Sequence, residues 1–550
     1  MGRQIRGENH MSFALINGKI YTMDKNFSQV EAVLMRGNKI IKTGTKSEIL
    51  SMADETTNII DLKGKTVLPG FNDSHMHLVN YGSSLMQVDL IGAQSMDEIK
   101  ERVQKFIQDG AIGKGTWVRG RGWNQDYFLG EKVFPDRYDL DNISREYPII
   151  LTRACGHVAV ANSLALELIG IKKGSPQVDG GYFDIDQKGE PLGIFRENAL
   201  DLLYSAVPRP TIQEIKEMMI LAMDDMTSCG ITSVGTDDLQ SIPGVGYEEI
   251  ITAYLELKQE GKLKVRIYEQ CLIPELSLLE EFIGKGYKTG WGDELFKIGP
   301  LKLLIDGSLG ARTAALNEPY ADDPSTSGIV TKSQDELNEI VSFAHDNNMQ
   351  IAIHGIGDKG MYMSFEAMEN ALNEKPADDH RNGIVHCQIT DEYLLRKFKD
   401  LNAIAYIQPI FMDYDWKIVK DRIGAKREKT SYNWKTMSDM GINFACGSDS
   451  PVESFNVMYG IYEGVTRKDM EGKPEGGWLP DQALSVKEAV QGYTINGAFA
   501  SFEESIKGSI EEGKMADMVV LSQDIFKINP TKIKDVNVDM TIFNGEIVFK

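Results

Sequence analysis

The residues able to do chemistry are few, and the first of them lie together. The stretch LPGFNDSHMHL, residues 68–78, places His75 and His77 one residue apart in what reads as the end of a β-strand. Side chains in a strand alternate faces, so the two imidazoles point the same way. Such a pair can hold one divalent metal ion. With eight histidines in 550 residues the pair could also arise by chance, so its meaning depends on ligands from other strands. His354 in QIAIHGIGD, His386 in GIVHCQIT and Asp449 in ACGSDSP each fall near the C-terminal end of an apolar run. Singly, each is as readily a core histidine or a turn aspartate. A fold that gathers those ends around one cavity turns the set into a metal site.

Lys302 is the sixth member. In Leu301-Lys302-Leu303-Leu304-Ile305-Asp306 the odd positions are apolar and suit the helix-facing side of a parallel strand, which sends Lys302 and Asp306 into the interior. A buried lysine with one distant carboxylate is costly and tends to give up its proton. A neutral amine can then add CO2 to form a carbamate, an anionic bridge between two metal ions. The plainer expectation is a Lys302–Asp306 salt bridge.

Positioning these residues needs eight strands, and the chain offers eight: the run KTVLPGFNDSHMH, then 230–238, 265–273, 299–308, 350–358, 382–390, 402–411 and 443–451. Helical stretches such as IQEIKEMMILAMDDMTSC and SQDELNEIVSFAHDNN lie between most of them. The pattern predicts an α/β fold, a (β/α)8 TIM barrel over 67–500 with its site at the C-terminal strand ends. Residues 80–210 interrupt the alternation and include a predicted β-hairpin at 174–193, which implies an inserted subdomain over the barrel mouth. Short strands with Asn-Gly turns over 11–66 and again over 501–550 predict one small β-sandwich built from both chain ends. The Met-rich segment 217–226 reads as barrel packing. Two segments are candidate gates, 413–429 and the Gly- and Pro-rich 463–480; for the first, a charged solvated loop is the simpler reading.

Composition narrows the partners. The apolar fraction of 42% and charged fraction of 25% are those of a soluble globular protein. A net charge of −22 argues against nucleic acid or an anionic membrane surface, both of which need a basic footprint. The five cysteines are scattered without a Cys-x-x-Cys pair, so neither a disulfide framework nor a zinc ribbon is expected, and a reducing cytoplasm fits. The polar N-terminal extension has no apolar targeting core, Met11 is an alternative start, and nothing reaches the length of a membrane span.

The motif set PGFNDSHMH, Lys302, His354, His386 and GSDSP resembles the amidohydrolase superfamily. The local signatures RGRGWNQD (119–126), CGHVAVANSLAL (155–166), KLLIDGSLGARTAAL (302–316) and GKMADMVVL (513–521) resemble its family 3 branch, which includes N-substituted formamide deformylases. The resemblance covers the chain from about Met11 to the C-terminus. It implies a metal-dependent hydrolase with two divalent ions, zinc being expected. His75, His77 and Asp449 would bind the more buried ion, His354 and His386 the more exposed one, and Lys302 as a carbamate would bridge them. A water or hydroxide between the ions would be the nucleophile, with Asp449 passing its proton to the leaving amine. The resemblance also directs attention to Trp123 as an apolar wall, to His157 and Glu197 near the substrate, and to Asp306 and Arg312 as donors or acceptors for the carbamate or substrate. A structural ion pair is the simpler role for Glu197 and Arg312.

The expected reaction is hydrolysis of a non-peptide C–N bond in a small molecule, such as an N-substituted amide, a formamide or a cyclic amide. A lactonase on the same fold remains open because the same hydroxide attacks esters. A deaminase is disfavoured by Lys302, which single-metal deaminases generally lack. A non-catalytic scaffold is disfavoured because all six ligand positions carry ligating residue types. A homodimer is the default assembly.

Overall fold

The computed structural model describes residues 12–110 and 113–550. Met11 and the polar extension before it lie outside the described residues. Eight parallel strands form one sheet nearly closed as a barrel: β1 (Phe71–Met76), β2 (Ile231–Thr236), β3 (Arg266–Leu272), β4 (Phe296–Leu304), β5 (Ile351–Gly355), β6 (Gly383–His386), β7 (Ile404–Ile407) and β8 (Phe444–Cys446). Each pairs in parallel with the next. The strands are buried on both faces, as a sheet wrapped by helices requires. Helices such as Gln334–Asp346, Asp358–Glu374 and Glu392–Asp400 alternate with them. The first of these starts where its sequence says it should, with Ser333 and Glu336 forming a reciprocal capping box.

The seam between β8 and β1 is closed by the segment just past β8. The Asp449 amide donates to the His75 carbonyl at 2.8 Å, and the His77 amide to the Ser450 carbonyl at 2.8 Å. Asp73 Oδ1 accepts from the amides of His75 at 3.2 Å and Ser448 at 3.1 Å. Gly447 allows this approach, since a Cβ there would lie 2.6 Å from the His75 nitrogen. The GSDSP motif therefore sutures the barrel as well as presenting Asp449.

KTVLPGFNDSHMH, read as one strand, is two. Thr66–Pro69 belongs to a terminal sheet, where it pairs with Met518–Leu521, and only Phe71–Met76 joins the barrel. Gly70 separates them, and a Cβ there would meet the Thr232 hydroxyl at 2.2 Å. That terminal sheet interleaves N-terminal strands (Lys19–Tyr21, Gln29–Val30, Thr66–Pro69) with C-terminal ones (Met518–Leu521, Val538–Phe543, Glu546–Phe549). Its buried side chains Val67, Met518, Val520 and Ile542 share one core with Phe13, Leu15, Val33 and Met35 of a second, four-stranded sheet.

Tyr81–Leu221 forms a compact unit apart from the rest of the chain. It has its own six-stranded sheet, including the antiparallel pair Gly181–Ile185 and Pro191–Glu197. The segment 413–429 is mostly short helix, Met412–Asp415 and Val419–Glu428, and 463–480 begins inside the helix Val457–Thr466. Trp478 ties the two by donating to Glu428 Oε1 at 2.9 Å, so 413–429 is held in place and is not a free solvated loop. Cys271, Cys387 and Cys446 are buried, Cys229 is partly buried and Cys155 is exposed; none is in a disulfide. Among the described residues no helix is long and apolar enough to cross a membrane.

Candidate metal centre

The C-terminal strand ends bring the six expected ligands together. His75 and His77 come from the end of β1, Lys302 from β4, His354 from β5, His386 from β6, and Asp449 from just after β8. The His75 and His77 rings are 5.3 Å apart, His75 and His386 5.6 Å, and His354 and His386 4.4 Å. The donor atoms of His75, His386 and Asp449 lie within 4.8 Å of one another, all buried. His386 (φ 82°) and Asp449 (φ 61°) both adopt left-handed backbone, a conformation that costs a residue with a Cβ roughly 1–2 kcal/mol. Strain of this kind collects where side-chain aim matters more than local comfort.

Each imidazole has one nitrogen tied outward. His75 Nδ1 donates to Gln270 Oε1 at 2.6 Å, and His386 Nδ1 to Gln408 Oε1 at 2.9 Å. Both amides have their NH2 committed to a main-chain carbonyl, of Ser74 at 2.9 Å and Tyr406 at 3.2 Å, which leaves their oxygens for the histidines. His77 Nδ1 donates to the Asp237 carbonyl at 3.2 Å, and His354 Nε2 to that of Gly307 at 3.2 Å. Such outer partners set the tautomer and aim a lone pair inward. For His75 and His77 that inward nitrogen, Nε2, faces Asp449 Oδ1 at 3.2 and 3.1 Å. A lone pair aimed at a carboxylate oxygen repels it unless a proton or a cation lies between. The donor set therefore fits a divalent metal ion.

The electrostatics agree for three of the four imidazoles. Burial, reinforced by the Lys302 charge, lowers His75 and pulls His354 down to about 4; burial, and the competition of the His354 ring for a proton, take His386 well below its ordinary value. All three are neutral, as ligation requires. Burial also acts to lower His77, but the hydrogen bond and charge of Asp449 outweigh it and raise His77 to about 8. Burial opposes ionisation of Asp449, yet the His386, His75 and His77 rings hold it well below the usual carboxylate range.

Lys302 is buried, with Nζ 3.4 Å from His75 Nε2. Its carboxylate partner is Asp237 Oδ2 at 3.3 Å, not Asp306. Asp306 accepts main-chain amides from Ala315, Ile356 and Gly357 at 3.0, 3.1 and 2.7 Å, and burial pushes it up to about 7. It organises the turns after β4 and β5. Arg312 makes a two-pronged pair with Asp322 at 3.0 and 2.8 Å. The remaining candidates belong to the inserted unit. Trp123 is fully enclosed in that unit's own core, with Nε1 on the Leu151 carbonyl at 2.8 Å, so it offers no wall to a substrate. His157 and Glu197 are exposed and paired at 3.0 Å.

Asp237, Gln270 and Gln408 escape sequence reasoning. Their signal is a polar residue at the C-terminal end of an otherwise apolar strand: TSVGTDD, RIYEQCL and IAYIQP.

The amidohydrolase family profile matches residues 58–549. The chain belongs to the amidohydrolase family. Among similar proteins, YtcJ of Bacillus subtilis, named as an amidohydrolase, is 32% identical over 97% of this chain and 98% of its own length. The N-substituted formamide deformylase of Arthrobacter pascens is 26% identical over 98% of each chain. A crystal structure from Pyrococcus furiosus, titled an uncharacterized metal-dependent hydrolase, superimposes with a TM-score of 0.77 at 32% identity, covering 94% of this chain and 100% of that one. As a member of this family the protein is a metal-dependent hydrolase.

Proposed function

We propose that this amidohydrolase cleaves an N-substituted amide, a formamide or a cyclic amide of a small molecule, with two divalent ions, zinc in the first place, held by His75, His77, Lys302, His354, His386 and Asp449. The observation that carries the reading is the ring of imidazoles whose outer nitrogens are fixed by Gln270, Gln408 and the Asp237 and Gly307 carbonyls, with the donors of His75, His77 and His386 gathered beside Asp449. The similarity to a formamide deformylase over 98% of both chains supports the substrate class. Bound ions supply Lewis acidity to a substrate carbonyl and lower the pKa of an attacking water. Asp449 receives the proton of that water on its carboxylate. As the water oxygen bonds to the carbonyl carbon and the C–N bond breaks, Asp449 returns the proton to the leaving nitrogen. Lys302, if carboxylated on Nζ, would supply an anionic group to hold the ions; its burial one contact from His75 suits that role.

Protein purified without chelator should carry at least one equivalent of zinc or a similar ion, and mass spectrometry of the native protein should show the 44 Da of a carboxylated lysine, lost in Lys302→Ala. A panel of N-formyl amines, N-acyl amides, cyclic amides and lactones identifies the substrate. Less than one equivalent of metal, or turnover of lactones alone, would overturn the reading.

A further inference from the structure

An apolar hollow of about 410 Å³ lies at the C-terminal end of the barrel, between the loop that follows β2 and the end of β3. Leu239, Ile242, Val245, Leu272, Ile273 and Leu278 line it, together with Tyr247. The Tyr247 hydroxyl is already engaged, donating to Glu281 Oε1 at 2.9 Å and accepting from Lys285 Nζ at 3.0 Å. Among the lining residues only Gln240, which is exposed, has an amide side chain, and none is charged. A wall of this kind suits an apolar group and gives an ionic one nothing to pair with.

The hollow is built into the fold. The Asp238 amide donates to Glu269 Oε1 at 2.9 Å, which pins the start of the loop to β3. Inside the loop the Ser241 amide donates to the Asp238 carbonyl at 3.0 Å and the Val245 amide to the Ile242 carbonyl at 3.1 Å. The loop ends at Gly246, whose amide donates to Glu249 Oε2 at 3.1 Å as the helix Tyr247–Gln259 begins.

Two routes connect the hollow to the metal centre. Asp237 offers its carbonyl to His77 Nδ1 and its carboxylate to Lys302 Nζ, and Leu239 is two residues further on. Gln270 holds His75 Nδ1, and Leu272 is two residues further along β3 on the same face. Leu272 is also the register partner of Lys302 on β4. Two strand residues span about 7 Å, so the inner wall begins one substituent's length from the ligands. Leu304, two residues past Lys302 on β4, is 39% exposed and extends the apolar lip. Apolar surface left open in a cleft beside a reactive centre gains free energy when a ligand covers it.

We infer that the hollow receives an uncharged hydrocarbon group of the substrate, so that the amide cleaved at the metal centre carries an aromatic or alicyclic ring or an alkyl chain several carbons long. The inference rests on the hydrolase reading above for the reaction, whereas occupancy of the hollow is measured without turnover.

The first measurement is binding of 4-fluorobenzyl alcohol to the metal-loaded protein by fluorine NMR. Ile242→Trp and Val245→Trp, both at partly buried loop positions and both checked by circular dichroism, fill the hollow and should each weaken binding about tenfold. No binding to wild type, or equal binding to wild type and both variants, overturns the site. The second measurement compares kcat/KM along two series from methyl to hexyl, N-alkyl formamides and N-methyl alkanamides. In at least one series it should rise about fourfold for each methylene that enters the hollow. The ratio of hexyl to methyl should fall in both tryptophan variants, and a terminal ammonium on the hexyl chain should cancel the gain. Turnover that ignores chain length in both series, or a rise that both variants retain, overturns the site and leaves the hydrolase standing. Alcohol binding that both variants weaken, with no amide turned over, overturns the hydrolase reading and leaves the apolar site.

Discussion

The two ends of the barrel treat charge in opposite ways. At the N-terminal ends of the strands every prominent charge has a partner. Lys297 and Lys507 both contact Glu503, at 2.6 and 2.7 Å, and Arg266 is paired to Asp517 through two bonds of 2.7 and 3.0 Å. Arg381 engages both Asp379 and Glu504 and packs on Phe499 and Phe502. Gln350 links strands across this end, accepting from Tyr268 at 2.8 Å and donating to the carbonyls of Arg381 and Ala500. At the C-terminal ends, lone pairs face a carboxylate at 3.1–3.2 Å and neither Glu463 carboxylate oxygen makes a hydrogen bond of ordinary geometry. One end is complete by itself, and the other gathers lone pairs and a carboxylate in an arrangement that favours a cation. Buried charges left incomplete cost stability, so they persist where ligands or reactions use them.

The comparison can be broken most forcefully at Asp449. Asp449→Asn should lower kcat/KM by about 10³-fold, since it removes both a ligand and the proton carrier, while far-UV circular dichroism stays unchanged. Full activity with full metal content would sink the mechanism. At the closed end, Glu503→Gln leaves the buried Lys507 and the part-buried Lys297 unpaired and should cost about 3 kcal/mol in denaturant unfolding, with kcat of the folded protein unaltered. A loss of metal affinity in that variant would show that the two ends are not independent.

Gln270→Ala and Gln408→Ala test the outer layer of the metal centre. Each frees the outer nitrogen of one histidine and should weaken metal binding by about 10–100-fold in a chelator competition. Unchanged affinity would show that packing alone aims the rings. A subtler distinction is in pH. Burial acts to raise Glu503, but the Lys507 and Lys297 charges outweigh it and hold the group at about 2, against an ordinary 4.5. Its contribution to stability is therefore complete above the ordinary value and is lost as pH falls from about 4.5 toward 2. Across that window wild type should lose more stability than Glu503→Gln; parallel curves would contradict the pairing. The smallest effect is expected at Arg312→Ala, whose partner is Asp322: KM should stay unchanged and the melting curve nearly so. A raised KM would return Arg312 to the substrate.

Much of the centre is legible in the chain because its ligands sit at strand ends. A strand is a local pattern, a barrel follows from eight alternations, and the barrel makes distant strand ends neighbours. His75, Lys302 and His386 could thus be grouped from positions more than 300 residues apart. Second partners were not legible in the same way. Asp306 is four residues from Lys302, and sequence proximity suggested a pair; the true partner, Asp237, directly follows a strand two places away in the barrel. Trp123 shows the converse error. A tryptophan in a family-like motif invites a role at the substrate, but its indole is the centre of the insertion's own core.

The sequence by itself determined which ligating residue types meet at the strand ends, because strand period and barrel topology are properties of the pattern. It also determined that both chain ends share one sandwich. Only the tertiary structure decided which nitrogen of each histidine faces inward, that Asp237 answers Lys302, that Gly447 lets the seam close, and that Glu463 is wholly buried. Those facts depend on distances of a few ångströms between side chains on different elements. A hydrogen bond or an orphaned charge is defined at that scale, where residue type and spacing along the chain carry no information.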